Sequence, residues 1–247
     1  MNEPDNLIFG IRPMIESLKA GKEFDKVFVQ IGLKGDLSGE LFRLMKLGNI
    51  QYQKVPLEKL NRITRKNHQG VIAFASLVSY QPVDEIVQMA FEKGETPLLL
   101  VLDRITDVRN FGAIARTAEC AGVHGIIIPA QNSAQINADA MKTSAGALNF
   151  IPISKVQNLN RTLDSLKESG VQLVAATEKA SKSYTQADFS LPTALIVGSE
   201  EDGIAPAFLK KADQAVKIPI TGKTESLNAS VAAALMIYEV VRQRGTV

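Results

Sequence analysis

The sequence predicts an α/β protein in two parts, a small α/β layer over residues 1–80 and a larger parallel-sheet unit over 96–247. Three observations carry this. Helix-like and strand-like stretches alternate along the chain, the pattern of strands covered by helices. Runs such as Leu98–Leu102 are continuously apolar, which marks strands buried on both faces and hence a parallel sheet. Between the two parts Ser79-Tyr80-Gln81-Pro82 breaks the alternation, and residues 81–95 read as a linker helix closing at Gly94.

In the first part, Ile11–Ala20 reads as a helix with Pro13 in its first turn, an apolar stripe of Ile11, Met14, Ile15 and Leu18, and Gly21 at its end. Strands follow at Lys26–Ile31, Gln51–Val55 and Val71–Leu77, with helices at Leu37–Leu47 and Pro56–Arg65. In the second part, strands read at Leu98–Leu102, Gly125–Ile128, Phe150–Ile153, Val171–Ala176, Ala194–Val197 and Ala215–Ile220. Helices read at Phe111–Ala121, Ala138–Thr143, Leu159–Ser169, Ala205–Lys211 and Leu227–Arg244.

Bulk properties narrow the function classes. Of 247 residues, 45% are apolar and 22% charged, as in a globular protein with a sizeable core. A net charge of +2 announces no nucleic-acid binder by itself, so such a role needs a local basic patch. A single cysteine, Cys120, excludes an intrachain disulfide and reads as a small buried residue. With only His68 and His124 beside it, no metal site is expected. Glu3 and Asp5 argue against a signal peptide, and no apolar run reaches about 18 residues, so a cytoplasmic protein without a membrane span is expected. No G-x-G-x-x-G follows the first strand of the second part, which argues against a dinucleotide site.

Two loops and a helix near the C-terminus read as one site. The run ending at Val197 opens into Gly198-Ser-Glu-Glu-Asp-Gly203, and Ile218-Pro-Ile opens into a polar loop with Ser226, Leu227 and Asn228 before an Ala-rich helix. Ligands in open α/β sheets bind beyond the carboxyl ends of strands, where both loops sit. On the residues alone, glycine turns and a helix cap at Ser226 or Asn228 explain the pattern equally well.

The wording of these segments resembles a known family. Val-Gly-Ser-Glu-x-x-Gly-Ile at 197–204 and Ile-Pro-Ile…Ser-Leu-Asn-Ala-Ser at 218–230 are similar to motifs two and three of the SpoU family of RNA 2′-O-methyltransferases, which use S-adenosylmethionine. Asp107-Val-Arg-Asn-Phe-Gly-Ala-Ile-Ala-Arg-Thr-Ala at 107–118 resembles motif one, with Val108 where the family usually has proline. The resemblance implies a SPOUT-type parallel sheet with a deep trefoil knot, which sequence physics alone does not foresee. It places the cofactor against Gly198, Ile218 and Leu227, with Thr177 a further candidate. Glycine at 198 is expected because a side chain would fill the cofactor's space. Lys142-Thr-Ser-Ala-Gly-Ala also resembles a family segment whose small residues allow close packing.

Methylating a ribose 2′-hydroxyl requires orienting the oxygen and removing its proton. No histidine lies in the three motifs. The resemblance assigns activation of the hydroxyl to Arg116, assisted by an RNA phosphate. Arginine stays protonated, with a pKa above about 12, so a clamp on hydroxyl and phosphate stands beside the general-base reading. Gly112 and Ala113, on the same helix face, leave room above it. The bland alternative is a surface pair of Arg116 with Glu119. Asn110 is expected to hold the loop or ribose, Glu200 to pair with Arg116 or cap the 198–203 turn, and Ser226 and Asn228 to complete the substrate wall. Glu201 and Asp202 read as solvated turn charges.

In the first part, Phe9-Gly-Ile-Arg-Pro13 and His68-Gln-Gly-Val71 resemble the L30e-like substrate-binding domain of SpoU enzymes. Lys59, Arg62, Arg65 and Lys66, beside Lys54 and with His68 following, read either as a solvated helix face or as a phosphate-contacting RNA surface. The resemblance favours the second reading. The two-part plan looks most like the bacterial enzyme that methylates a guanosine of large-subunit ribosomal RNA. A transfer-RNA enzyme, an antibiotic-resistance ribosomal-RNA enzyme and a non-catalytic RNA-binding assembly protein are the rivals. Val231, Leu235, Met236, Tyr238, Val240 and Val241 give the last helix more apolar surface than one stripe, which predicts a homodimer.

Overall fold

A computed structural model describes residues 6–245. Glu3 and Asp5 lie outside them. The chain forms two compact units, 1–79 and 80–247.

The first unit runs β1 (Leu7–Phe9), α1 (Ile11–Lys19), β2 (Phe24–Gln30), α2 (Asp36–Leu47), β3 (Gln53–Val55), α3 (Leu57–Ile63) and β4 (Val71–Ala75). Its sheet has the order β1-β4-β2-β3, with β4 antiparallel to both neighbours and β2 parallel to β3. Successive residues of β2 feed opposite faces, as a pleated strand requires. Val27 and Val29 join Met14, Ile15, Leu41 and Met45 under α1 and α2, while Phe28 joins Val55, Leu60 and Ile72 under α3. Strand β1 was not expected, because three residues are too few to show a period.

The second unit runs α4 (Val83–Glu92), β5 (Leu98–Asp103), α5 (Val108–Cys120), β6 (Gly125–Pro129), α6 (Ala138–Thr143), β7 (Ile153–Val156), α7 (Leu159–Glu168), β8 (Gln172–Ala176), β9 (Lys182–Ser183), β10 (Thr193–Gly198), α8 (Pro206–Leu209), β11 (Gln214–Lys217) and α9 (Ala229–Arg244). All its strand pairings are parallel, in the order β7-β6-β5-β10-β8-β11-β9. Every residue of β5 is buried, as its unbroken apolar run predicts.

Several expectations need correction. Helix α4 is no free linker. Val83, Ile86 and Val87 lie in one apolar cluster with Leu99, Val101 and Ile127. A Cβ on Gly125 would stand 2.9 Å from Cγ2 of Ile86, so helix and strand are packed to the limit. Strand β7 begins at Ile153, because Ala147–Asn149 winds into a 3-10 turn and leaves Phe150 exposed. Strand β11 stops at Lys217, just before the stretch containing Pro219. Cys120 is exposed at the end of α5, not buried.

Helix α5 packs against both α6 and α9. The approach to α6 is close enough that a Cβ on Gly112 would stand 2.7 Å from Cβ of Thr143, so the small residues of 142–147 serve tight packing. That contact also fills the room expected above Gly112.

The far end of α9 is pinned by side chains. Gln243 accepts from the Phe189 amide at 3.0 Å and donates to the Ala187 carbonyl at 3.0 Å. Arg244 donates to the carbonyls of Thr96, Pro97, Phe189 and Leu191. Among the described residues no helix is long and apolar enough to cross a membrane.

Candidate active site

Because the sheet is parallel, the carboxyl ends of β5, β8, β10 and β11 lie along one edge, and the loops leaving them meet there. Those leaving β8, β10 and β11 enclose a cleft of ≈ 290 Å³. Thr177 after β8, Gly198 at the end of β10, and Ile218, Ser226 and Leu227 after β11 all line it. The four residues expected to bind the cofactor are thus brought together from three separate segments.

The cleft suits a molecule with one apolar and one polar end. Val197, Ile218, Ile220 and Leu227 offer apolar wall beside the hydroxyls of Thr177 and Ser226. From Ile220 to Leu227 no hydrogen bond to another part of the chain holds the backbone, among the described residues. Those amides and carbonyls are available to a ligand.

Gly198 is required, but not for the reason expected. A Cβ there would fall on the backbone of Gly203 and Ile204. The loop folds back on its own strand, closed by the Gly203 amide donating to the Ser199 carbonyl at 3.0 Å. Glycine leaves room for the chain itself, and that turn forms the cleft wall.

Glu200 stands at the centre of a polar cluster. Its Oε1 accepts from Asn110 Nδ2 at 2.9 Å, Asn228 Nδ2 at 2.7 Å and the Ala229 amide at 3.1 Å. Asn228 also donates to Asn110 Oδ1 at 3.0 Å. Glu200 therefore neither pairs with Arg116 nor caps its own turn. It caps α9, where a carboxylate is favoured by the free amides and the helix dipole. Asn228 is the N-cap of that helix, accepting from Ser230 N at 2.9 Å. Asn110 sits in the first turn of α5, whose N-cap Asp107 accepts its amide at 2.7 Å.

A second cavity of ≈ 350 Å³ lies beyond the 199–202 loop, lined by Arg104, Thr106, Asp107, Asn110 and Asn132 on the side away from that loop. Ser199–Asp202 line both cavities and form the partition between them. Arg116 is exposed on α5 and lines neither cavity. Among the described residues it forms no ion pair, so the surface pair with Glu119 is absent.

Two residues here were missed by the sequence reading. Asp103 is buried, and Arg104 grips it with Nε at 3.1 Å and Nη2 at 3.2 Å. Arg104 also reaches Asp202 at 3.0 Å, so Asp202, exposed as expected, is paired as well. The hydrogen bond to Asp103, followed by the charges of both acids, outweighs burial and pushes the pKa of the guanidinium up. The available signal was an Asp-Arg pair closing an otherwise apolar strand.

Comparison with known proteins decides the family. Residues 97–238 match the model of the SpoU rRNA Methylase family. The chain belongs to that family. It is an S-adenosylmethionine-dependent RNA methyltransferase. Residues 7–81 match a second model, RNA 2′-O ribose methyltransferase substrate binding. The YacO protein of Bacillus subtilis, assigned to the TrmH family of tRNA/rRNA methyltransferases, is 36% identical over 247 residues, 100% of this chain and 99% of its own. The AdoMet-bound rRNA methyltransferase of Sinorhizobium meliloti has a TM-score of 0.61 at 25% identity, covering 96% of this chain and 86% of its own. The A. aeolicus TrmH/SpoU tRNA modifying enzyme has a TM-score of 0.57 at 31% identity, covering 66% of this chain and 84% of its own.

In the segment matching the SpoU substrate-binding model, Lys59, Arg62, Arg65 and Lys66 are exposed. Lys59 Nζ lies 5.0 Å from the centroid of Phe28 and Lys66 Nζ 5.4 Å from that of Phe9, so aromatic faces hold two of these cations. His68 does not join them. It is 6% exposed, its Nδ1 accepts from the Gly70 amide at 3.0 Å, and its Nε2 meets Asn61 Oδ1 at 3.0 Å. Both ring nitrogens are thus used inside the turn, and the ring braces it with no group left for RNA. No group of three or more His, Cys, Asp or Glu side chains suited to a metal occurs among the described residues.

Proposed function

We propose that this enzyme methylates a ribose 2′-hydroxyl in large-subunit ribosomal RNA, at a guanosine. What carries the reading is coverage. The likeness to a ribosomal-RNA enzyme extends over both units, whereas the transfer-RNA enzyme matches about two thirds of the chain. An RNA reached through a separate substrate-binding unit suits a large folded target. The first unit is then the L30e-like module, with Lys59, Arg62, Arg65 and Lys66 against phosphates, since such contacts position RNA without reading its sequence. The second carries the family's trefoil knot.

When bound in the ≈ 290 Å³ cleft, S-adenosylmethionine supplies an electrophilic methyl group. The free backbone of 220–227, with Ile218, Leu227, Thr177 and Gly198, holds it. The target ribose enters the neighbouring cavity, where Asn110 faces the partition. Asn110 and Asn228, oriented by Glu200, fix the ribose relative to the donor, because reaction demands reacting atoms within about 3.5 Å and in line. Arg116 lines neither cavity, and the family resemblance alone supports its role as a clamp on the hydroxyl and a neighbouring phosphate, a task suited to a planar fork of donors.

A cytoplasmic homodimer completes the proposal. Val231, Leu235 and Tyr238 are 47%, 38% and 51% exposed at i, i+4 and i+7 of α9, a stripe for a second copy. Light scattering at micromolar concentration should give twice the chain mass; a monomer removes this part of the proposal. The substrate is tested by mass mapping of ribose methylation in ribosomal and transfer RNA from cells with and without the gene. Loss of one ribosomal guanosine mark is expected. Loss of a transfer-RNA mark transfers the assignment there, and loss of neither overturns the ribosomal assignment.

A further inference from the structure

Arg104 adopts a left-handed backbone conformation with φ 58°, although it is not glycine. A β-carbon disfavours that region, and such residues persist where the surroundings hold them. Here the surroundings are the side chain's own bonds. Nε and Nη2 hold both oxygens of Asp103, which is 2% exposed. Nη1 reaches Asp202 Oδ2 at 3.0 Å and Nη2 the Gly203 carbonyl at 3.0 Å. Asp103 Oδ2 further accepts from the Ala205 amide at 2.6 Å. Strand pairing sets Asp103 directly beside Gly198, where the loop departs. The guanidinium and the buried carboxylate together tie the end of β5 to the 202–205 stretch in which the loop returns.

That loop is the partition between the two cavities and carries Glu200, which holds Asn110, Asn228 and the start of α9. We propose that Arg104 is a positioning residue, a clamp that fixes the 199–203 partition so that the cofactor wall and Glu200 keep their places. It is poorly suited to hold an RNA phosphate from the second cavity. Four of its five N–H donors are already used, and two carboxylates offset its charge. The inference rests on reading the cleft as the S-adenosylmethionine site.

Two variants separate the clamp from the backbone. Arg104→Asn keeps a residue that tolerates the left-handed region and removes the guanidinium. Asp202→Asn keeps the Arg104–Asp103 pair and weakens only the loop end. Calorimetry with S-adenosylmethionine and single-turnover methylation across cofactor concentrations read the result. Arg104→Asn should raise both the Kd and the KM for the cofactor about tenfold, the scale of a lost charged hydrogen bond, with RNA affinity unchanged. Asp202→Asn should raise them less, and the double variant should match Arg104→Asn alone, since members of one device are not additive. An unchanged KM in Arg104→Asn overturns the proposal. So does a lowered Tm with unchanged KM, the mark of a residue that only stabilises the fold. Wild-type protein that binds no S-adenosylmethionine would instead overturn the reading of the cleft, and the clamp's purpose with it.

Discussion

Asn228 donates to Oδ1 of Asn110 at 3.0 Å, although 118 residues separate them in the chain. The two amides also share one carboxylate oxygen of Glu200, so the first turn of α5, the 198–203 loop and the N-terminus of α9 meet at one atom. Removing that atom is the direct test. Glu200→Ala should cost about 1 kcal/mol of stability, the scale of a lost helix cap. Single-turnover methylation should fall by up to about 100-fold, because misplaced groups lose the reactive geometry. Glu200→Gln, which keeps an acceptor oxygen, should recover most of the stability. Wild-type turnover in the alanine variant would detach the cluster from the chemistry.

Arg116 is exposed and unpaired among the described residues, so its removal should change stability by no more than about 0.5 kcal/mol. Turnover is the sensitive readout. Arg116→Ala should bind S-adenosylmethionine normally yet methylate RNA at least about 100-fold more slowly. Arg116→Lys should fail nearly as badly, since an ammonium cannot hold two oxygens in one plane. Rates within a few-fold of wild type, measured with saturating cofactor and RNA, exclude the assignment.

Gly198→Ala is expected to destabilise the protein without any ligand present. The new methyl group would overlap the backbone of Gly203 and Ile204, and forcing atoms into a packed site costs about 1–3 kcal/mol. Cofactor affinity should fall with it, because the displaced turn is the cleft wall. Denaturant melts of the apo protein are decisive. A variant as stable as wild type that fails only to bind cofactor would restore the simpler idea that glycine makes room for the ligand.

The buried carboxylate of Glu239 sets an acid limit on stability. Arg242 grips both its oxygens at 2.8 Å and Gln243 adds a bond at 2.8 Å, which together hold its pKa below the usual glutamate value despite burial. A depressed folded pKa contributes stability that is complete above the unfolded value, about 4.3, and is lost as pH falls through the folded value. Tm should therefore drop on acidification below about pH 4.3 more steeply in wild type than in Glu239→Gln. Parallel curves for the two proteins would show that other carboxylates dominate the acid limb.

The chain by itself determined the α/β class, the parallel sheet and the loops that form the site. Leu98–Leu102 is apolar at every position, and only a strand buried on both faces needs that. Gly198, Ile218, Leu227 and Thr177 were legible because motif and strand-end position both point to them, and they do line one cleft. What each residue touches was settled only by the fold. A sequence marks Gly198 as small but not that Gly203 and Ile204 lie against it, and it shows His68 as polar but not that Asn61 and Gly70 consume both nitrogens. Asp202 is the solvated charge it looks like, but only the fold brings Arg104 to it from a strand end 98 residues away. Helix α4 looks like a linker until Ile86 meets Gly125. Periodicity and composition are local, carried by backbone geometry over a few residues. Hydrogen-bond partners and close approaches depend on which distant segments the parallel sheet sets side by side, and that is decided by packing the whole unit.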